Sequence, residues 1–420
     1  MNDAALGDEE LRRRLLLAAA GAASGLALSG PRRALAAAVG STAELGLAEL
    51  PDGALAGQHL YALPGKLPLI KKTYRPPNFE TPIEYLRTPI TRNDAFFVRW
   101  HLAGMPHVNV KDWVLTVAGE SAERERKLTM AQLRKEFRHD EITAVCLCSG
   151  NRRGLFEPHV PGVEWGVGAM GNAVWKGVRL KDVLATVGIK GDALEVVFDG
   201  ADEPAIDKTP DFVKSLPLEI AMDKNTLIAF EMNGKPLPHF NGFPARLVVP
   251  GWTGTYWVKA LVGIKVVSKP EGNFWMSTAY RLPRGKFKTP SFTSQVKEVN
   301  EPITTMVVNS LITSLSSGQK IAHGKPIIVK GLAWDGGSGI AKVEVSADAG
   351  ASWQEAPLGR ELGRFSFREF ALSVPATQVG TRLVMARATS RAGETQVKQL
   401  IHNPAGYHHN VIQRIPVEVV

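Results

Sequence analysis

The sequence predicts two folded domains: a mixed α+β domain over residues 39–297, then a small β-sandwich of immunoglobulin type over residues 298–420. Three observations carry that expectation. A chain of 420 residues exceeds what one compact core usually supports. Short apolar strands alternate irregularly with turns and amphipathic helices up to about residue 270, and beyond residue 297 a period-two alternation takes over. Hydrophobic residues make up 44% and charged residues 22%, ordinary values for a globular protein, so disorder is not the default.

Residues 1–38 read as an export signal. Arg12-Arg13-Arg14 precede the apolar run LLLAAAGAASGLALSG, and an Ala-x-Ala site follows in ALAAAVG. The run is shorter than the ~20 residues that span a bilayer, and no other segment is long enough to do so. Consecutive arginines before a Gly/Ala-softened core suggest the twin-arginine route, which carries folded proteins to the periplasm.

A Pro-rich lead-in, residues 61–94, is expected to wrap a surface in extended form. DAFFVRWHL, WVLTVAGE, EITAVCLC, LEVVFDG, TLIAFEMNG and ARLVVPGW read as strands. TMAQLRKEF and RLKDVLATVG read as helices, with apolar residues at i, i+3 and i+4. Farther on, KPIIVKGLAWDGG, IAKVEVSADAGASWQEA, GRFSFREFALSV and TRLVMARATS alternate apolar and polar residues between Gly/Asp/Ser turns, the pattern of the sandwich.

The formal charge is +9. Outside the N-terminus the basic residues are scattered or paired with acids, which argues against nucleic acid and for an anionic small molecule or an acidic partner. No GxGxxG or GxxxxGK[ST] nucleotide signature is present.

Both cysteines, Cys146 and Cys148, fall in AVCLCSGNRRG. A disulfide between i and i+2 would close a small strained ring. Zinc needs three or four protein ligands, and the ten histidines supply no HxxxH partner. A buried structural cysteine and a nucleophile stay open. The cationic turn after the strand favours the ionised, metal-ligating thiolate, and a metal that changes oxidation state suits such a soft ligand.

The run Cys148-Ser149-Gly150-Asn151-Arg152-Arg153 resembles the signature of the sulfite oxidase family. FFVRWH at 96–101, GVEW at 162–165, WKGVRLKDVL at 175–184, EMNGKPLP at 231–238, GFPARLVVPGWTGTYWVK at 242–259 and FWMSTAY at 274–280 follow in family order. The resemblance implies that Cys148 is the one protein ligand to molybdenum, that molybdopterin is the cofactor and that Cys146 is a packed strand residue. It further implies Arg99 and Arg153 as pocket arginines, Trp165 as the aromatic wall and Tyr280 as the hydroxyl facing the metal centre. Trp100, His101, Asp202, Arg246, Trp257 and Lys259 match molybdopterin contacts. Asn241 stands where animal members have a pterin-contacting histidine, and Ala405 where they have a third pocket arginine.

The implied activity is that of a sulfite dehydrogenase, with sulfite as substrate and a c-type cytochrome or small haem c subunit as electron acceptor. No cytochrome-type domain and no CxxCH appear, so no haem is expected in this chain. A sulfane dehydrogenase acting on carrier-bound sulfur, a sulfoxide reductase, and a non-enzymatic exported binding protein are the competing readings. Homodimer and heterodimer both stay open.

Overall fold

The computed structural model describes residues 60–283 and 300–420, all within one compact unit; the expected export signal lies outside the described residues. The fold class is the expected one, a mixed domain rich in strands followed by a two-sheet sandwich.

The lead-in departs from a simple extended wrap. Its strands Pro68–Thr73 and Asn78–Glu80 form the middle of a four-stranded antiparallel sheet, flanked by Leu60–Ala62 and Val98–Arg99. Burial explains this, because Leu69, Phe79 and Glu80 all face the interior. Glu80 tolerates burial because its carboxylate accepts the N–H groups of Gly166 at 2.7 Å and Gly168 at 2.8 Å, and Lys72 Nζ lies 3.2 Å away. The prolines Pro76 and Pro77 fall in the turn between strands, where no ladder donor is lost.

Two larger sheets complete the first domain. One runs in the order Val213–Pro217, Glu195–Gly200, Leu261–Val267, Val114–Ala118 and Arg126–Thr129, with a single parallel pair between Leu261–Val267 and Val114–Ala118. The other runs Lys235–Pro236, Leu227–Met232, Met170–Arg179 and His139–Leu147, and Arg246–Val248 also pairs with Leu227–Met232. The expected helices form at Met130–Glu136 and Leu180–Ala185. Thr129 caps the first: its Oγ1 accepts from Gln132 N at 3.3 Å, while Gln132 Oε1 accepts from Thr129 N at 3.0 Å. Leu133, Val183 and Leu184 bury the apolar helix faces under the sheets, each contributing about 1.5–3 kcal/mol.

In the second domain, strands Asn309–Ile312, Pro326–Trp334 and Arg368–Pro375 face a five-stranded sheet centred on Gly380–Ser390. Ile327, Val329 and Ala333 from one sheet pack against Val343, Val384, Ala386 and Val417 from the other, the inward half of the alternation read from sequence. The domains share an interior. Val145, Leu147 and Met170 cluster with Leu311, Trp334 and Phe367, and Val145 N donates to Phe365 O at 2.9 Å. The Cys148 turn therefore lies at the domain junction.

Candidate active site

The strand His139–Leu147 ends one residue before Cys148. Side chains two apart point to the same face of a strand, so Cys146 and Cys148 look into one cavity, which with its mouth encloses about 450 Å³ of non-atom space. Beyond the strand the chain turns tightly. Cys148 N donates to Ala169 O at 2.9 Å, Asn151 N to Cys148 O at 2.9 Å, and Asn151 Oδ1 accepts from Ala169 N at 3.0 Å. The Arg153 guanidinium packs over Gly150, where an added Cβ would lie 2.6 Å from it and displace it. Arg152 adopts φ 68°, in the left-handed region.

Arg99, Arg246 and Lys259 put three cations on the cavity wall. Arg246 is locked in place: Nη1 donates to Asn241 O at 2.9 Å, Nη2 to Trp257 O at 3.1 Å, and Nη2 also reaches Cys146 Sγ at 3.8 Å. Its guanidinium lies 5.0 Å from the Trp175 ring and 5.6 Å from the Trp257 ring. Lys259 Nζ sits 4.8 Å over Trp100, whose own Nε1 donates to Phe240 O at 3.1 Å. Arg99 Nη1 donates to Asn78 Oδ1 at 3.1 Å and to the Trp100 carbonyl. Against these cations stands Asp202. Burial pushes its carboxyl up to about 6 and the Lys259 ammonium down to about 8, so desolvation outweighs their mutual attraction.

Tyr280 enters from the segment after helix Phe274–Ser277, its backbone held at φ 57°. A bulky residue in that region is strained, and such strain concentrates at functional sites. The Tyr280 hydroxyl hydrogen-bonds His101 Nε2. Burial, then the charges of Arg99, Lys259 and Lys214, push the His101 imidazolium well below its ordinary range, so the ring is neutral. Phe212 stacks on His101 with centroids 3.6 Å apart, and Tyr407, from the sandwich, stacks on Tyr280 at 5.6 Å.

The residues singled out in the sequence thus separate into two groups. Arg99, His101, Cys148, Asn241, Arg246, Lys259 and Tyr280 line the cavity; Trp100, Arg153, Trp165, Asp202 and Trp257 stand behind it. Arg153 is turned to the junction, donating from Nε to Ala405 O at 3.0 Å and from Nη1 to Val163 O at 3.3 Å, with Tyr407 beneath it at 5.0 Å. Ala405, the position singled out in the sequence near the C-terminus, therefore holds Arg153 by its carbonyl. Trp165 is fully buried with its carbonyl taken by Gly154 N at 2.8 Å. Asn241 is committed to the scaffold: Oδ1 accepts from Lys66 Nζ at 2.5 Å and Nδ2 donates to Phe97 O at 3.0 Å.

Cys146, expected to serve packing alone, also walls the cavity, and burial pushes its thiol up, so it is a neutral sulfur beside Arg246. The i, i+2 spacing was the signal for this. Arg152, which sequence reading passed over, joins the domains, donating from Nη2 to Ser310 O at 2.7 Å and from Nη1 to Val411 O at 3.3 Å.

The donor set fits an anionic, phosphate-bearing pterin with a soft metal. His101 Nδ1, Ser149 Oγ, Arg246 Nε and Thr255 Oγ1 belong to cavity-lining residues and are buried without a partner, which is costly unless a ligand completes them. Among the described residues, the cavity wall carries three cations and no carboxylate, Asp202 standing behind it beside Lys259.

Comparison with known proteins agrees. Residues 101–275 match the oxidoreductase molybdopterin binding domain and residues 300–420 the molybdenum-cofactor oxidoreductase dimerisation domain. These define a molybdopterin-binding oxidoreductase domain followed by a dimerisation module. The chain is 34% identical over 364 residues to mitochondrial sulfite oxidase of Rattus norvegicus, covering 82% of this chain and 65% of that one. It is 32% identical over 327 residues to sulfite oxidase of Arabidopsis thaliana, covering 74% and 81%. The crystal structure of the sulfane dehydrogenase SoxCD from Paracoccus pantotrophus superposes with a TM-score of 0.70 at 26% identity, covering 89% of this chain and 93% of that one. The protein belongs to the sulfite oxidase family. It spans 62–65% of the length of the rat, fruit-fly and mouse mitochondrial relatives.

Proposed function

We propose that the protein is an exported sulfite dehydrogenase that oxidises sulfite to sulfate at a molybdenum–molybdopterin centre and passes the electrons to a c-type cytochrome or small haem c subunit. The observation that supports this reading most is the meeting, in one cavity, of a strand-end thiol, three cations and the Tyr280–His101 pair. Cys148 would hold the metal, and His101, Arg246 and Lys259 the pterin and its phosphate. When bound, the centre supplies oxygen-atom transfer and takes up two electrons.

The chain's own residues handle the anion and the protons. Sulfite and water give sulfate, two protons and two electrons, so the site must bind one dianion, release another and dispose of protons. Arg99 offers a planar guanidinium to the pyramidal oxyanion through charge-assisted hydrogen bonds. The Tyr280 hydroxyl, fixed by His101, orients the same anion. Because burial and the nearby cations keep His101 neutral, it holds the Tyr280 hydroxyl in place by a hydrogen bond and resists taking up a proton itself. The Phe212, Trp275 and Tyr407 rings around the pair exclude water and strengthen these interactions.

Export by the twin-arginine route to the periplasm, suggested by Arg12-Arg13-Arg14, fits a protein that folds around its cofactor first. The match to a dimerisation domain supports self-association or pairing with a haem subunit. The likeness to a sulfane dehydrogenase favours one second reading, oxidation of sulfur carried on a protein thiol. Assay of free sulfite with added cytochrome c separates the two: turnover supports sulfite, and activity restricted to carrier-bound sulfur replaces it with the second reading.

A further inference from the structure

Lys214 sits within strand Val213–Pro217 and is 2% exposed. Its Nζ donates to the Trp275 carbonyl at 2.7 Å and faces two rings, Tyr256 at 4.5 Å and Tyr280 at 5.2 Å. No carboxylate among the described residues pairs with it. A buried ammonium so placed is costly: burial, then the charge of Arg281, pushes it down to about 7, and an apolar side chain of similar volume would serve packing better. Some other requirement must retain the charge.

Two observations direct that requirement to the cavity. Tyr280 lines it and carries the left-handed backbone described above, so its ring needs outside support. Tyr256 follows Thr255, another lining residue, in the turn Gly254–Tyr256. The Lys214 ammonium thus grips a ring from each of two wall segments. Its charge also reaches inside, since after burial, Arg99 and Lys259 it adds to the lowering of the His101 imidazolium.

We propose that Lys214 is a positioning residue of an oxyanion pocket: clamped between Tyr256 and Tyr280, it fixes the Tyr280 ring and adds a fourth positive charge to Arg99, Arg246 and Lys259 in the field that a divalent oxyanion enters. For its ligand class this rests on the proposed sulfite chemistry. The clamp itself rests on the geometry alone.

Sulfate is the probe, because its charge does not change near neutral pH, and binding is measured at pH 6, below the value of about 7 to which burial lowers Lys214, so that the wild-type ammonium is protonated. Its affinity for the full-length, molybdenum-loaded protein is measured by calorimetry over a range of ionic strength, beside sulfite kinetics and metal content. Lys214→Gln keeps a donor for the Trp275 carbonyl and guards against failure to fold; Lys214→Met removes charge and donor; Lys214→Arg restores charge. Both neutral variants are expected to bind sulfate about tenfold more weakly with a shallower salt dependence, raising KM for sulfite by a similar factor while kcat changes little. Lys214→Arg should recover most of the affinity. If wild type binds sulfate and the neutral variants match it in affinity and salt slope, or if Lys214→Arg is as weak as Lys214→Gln, the inference is overturned. If wild type neither binds sulfate nor oxidises sulfite, the proposed function fails first and takes the pocket with it.

Discussion

Removing one oxygen atom from the site tests how the Tyr280–His101 pair works. Tyr280→Phe keeps the ring stack on Tyr407, at 5.6 Å, and the ring under Lys214, at 5.2 Å, and deletes only the hydroxyl that bonds His101 Nε2. His101 Nδ1 is already without a partner, so the variant leaves both imidazole nitrogens unpaired in a buried site. Leaving one such group unsatisfied costs about 1–3 kcal/mol, which sets the expected loss of stability before cofactor or water compensates. Catalysis should suffer separately. A hydrogen bond to a charged group is worth about 1.5–3 kcal/mol, so kcat/KM for sulfite should fall by roughly 10- to 150-fold. Steady-state reduction of cytochrome c by sulfite, with molybdenum content measured on the same sample, gives the number. A fully loaded Tyr280→Phe protein with kcat/KM within twofold of wild type would show that the hydroxyl does not orient the anion.

Other outcomes follow from the same geometry. Cys148→Ser should lose sulfite oxidation and most of its molybdenum, whereas Cys146→Ser, which offers Arg246 a hydroxyl in place of a thiol 3.8 Å away, should retain the metal and turn over within several-fold of wild type; equal metal loss in both would contradict the division of labour. Arg152→Met removes the donors to Ser310 O and Val411 O; Val411 O keeps Gln396 Nε2 at 3.5 Å, but the Ser310 carbonyl loses its Arg152 donor, at about 1–3 kcal/mol, partly offset by release of a buried charge that burial alone pushes down to about 10. Protease nicking between the domains should rise and melting temperature fall; an unchanged melting profile would count against the junction role. His409 is buried and held neutral, its value pushed down to about 3 from 6.5 chiefly by desolvation. The unfolded chain therefore binds the extra proton as pH drops below about 6.5, and this histidine's contribution to stability declines by up to ~1.4 kcal/mol per pH unit until about pH 3. Urea titrations of His409→Gln should show a shallower loss over that window, and parallel curves would refute the assignment.

The alternation of Pro326–Trp334 and its neighbours made the sandwich legible, and the i, i+3, i+4 pattern placed both amphipathic helices within two or three residues of their ends. CSGNRR and the tyrosine of FWMSTAY led to the cavity because a short motif carries its geometry with it. What was not legible depends on pairing between distant segments. The strands of the Pro-rich lead-in form because Phe79 and Leu69 find buried partners, which no local pattern records. Lys66 and Lys214 look like ordinary strand or loop lysines until the fold buries them beside Asn241 and Tyr280. Arg153 was placed in the pocket by resemblance, yet the Ala405 carbonyl, 252 residues away in sequence, draws its guanidinium to the junction.

The most direct test combines a metal count with electron stoichiometry on the purified full-length protein, made in cells that synthesise the cofactor. The account predicts one molybdenum per chain, lost in Cys148→Ser, and two molecules of cytochrome c reduced for each sulfite converted to sulfate. Folded protein without molybdenum, or molybdenum-loaded protein that leaves both sulfite and cytochrome c unchanged, would contradict it.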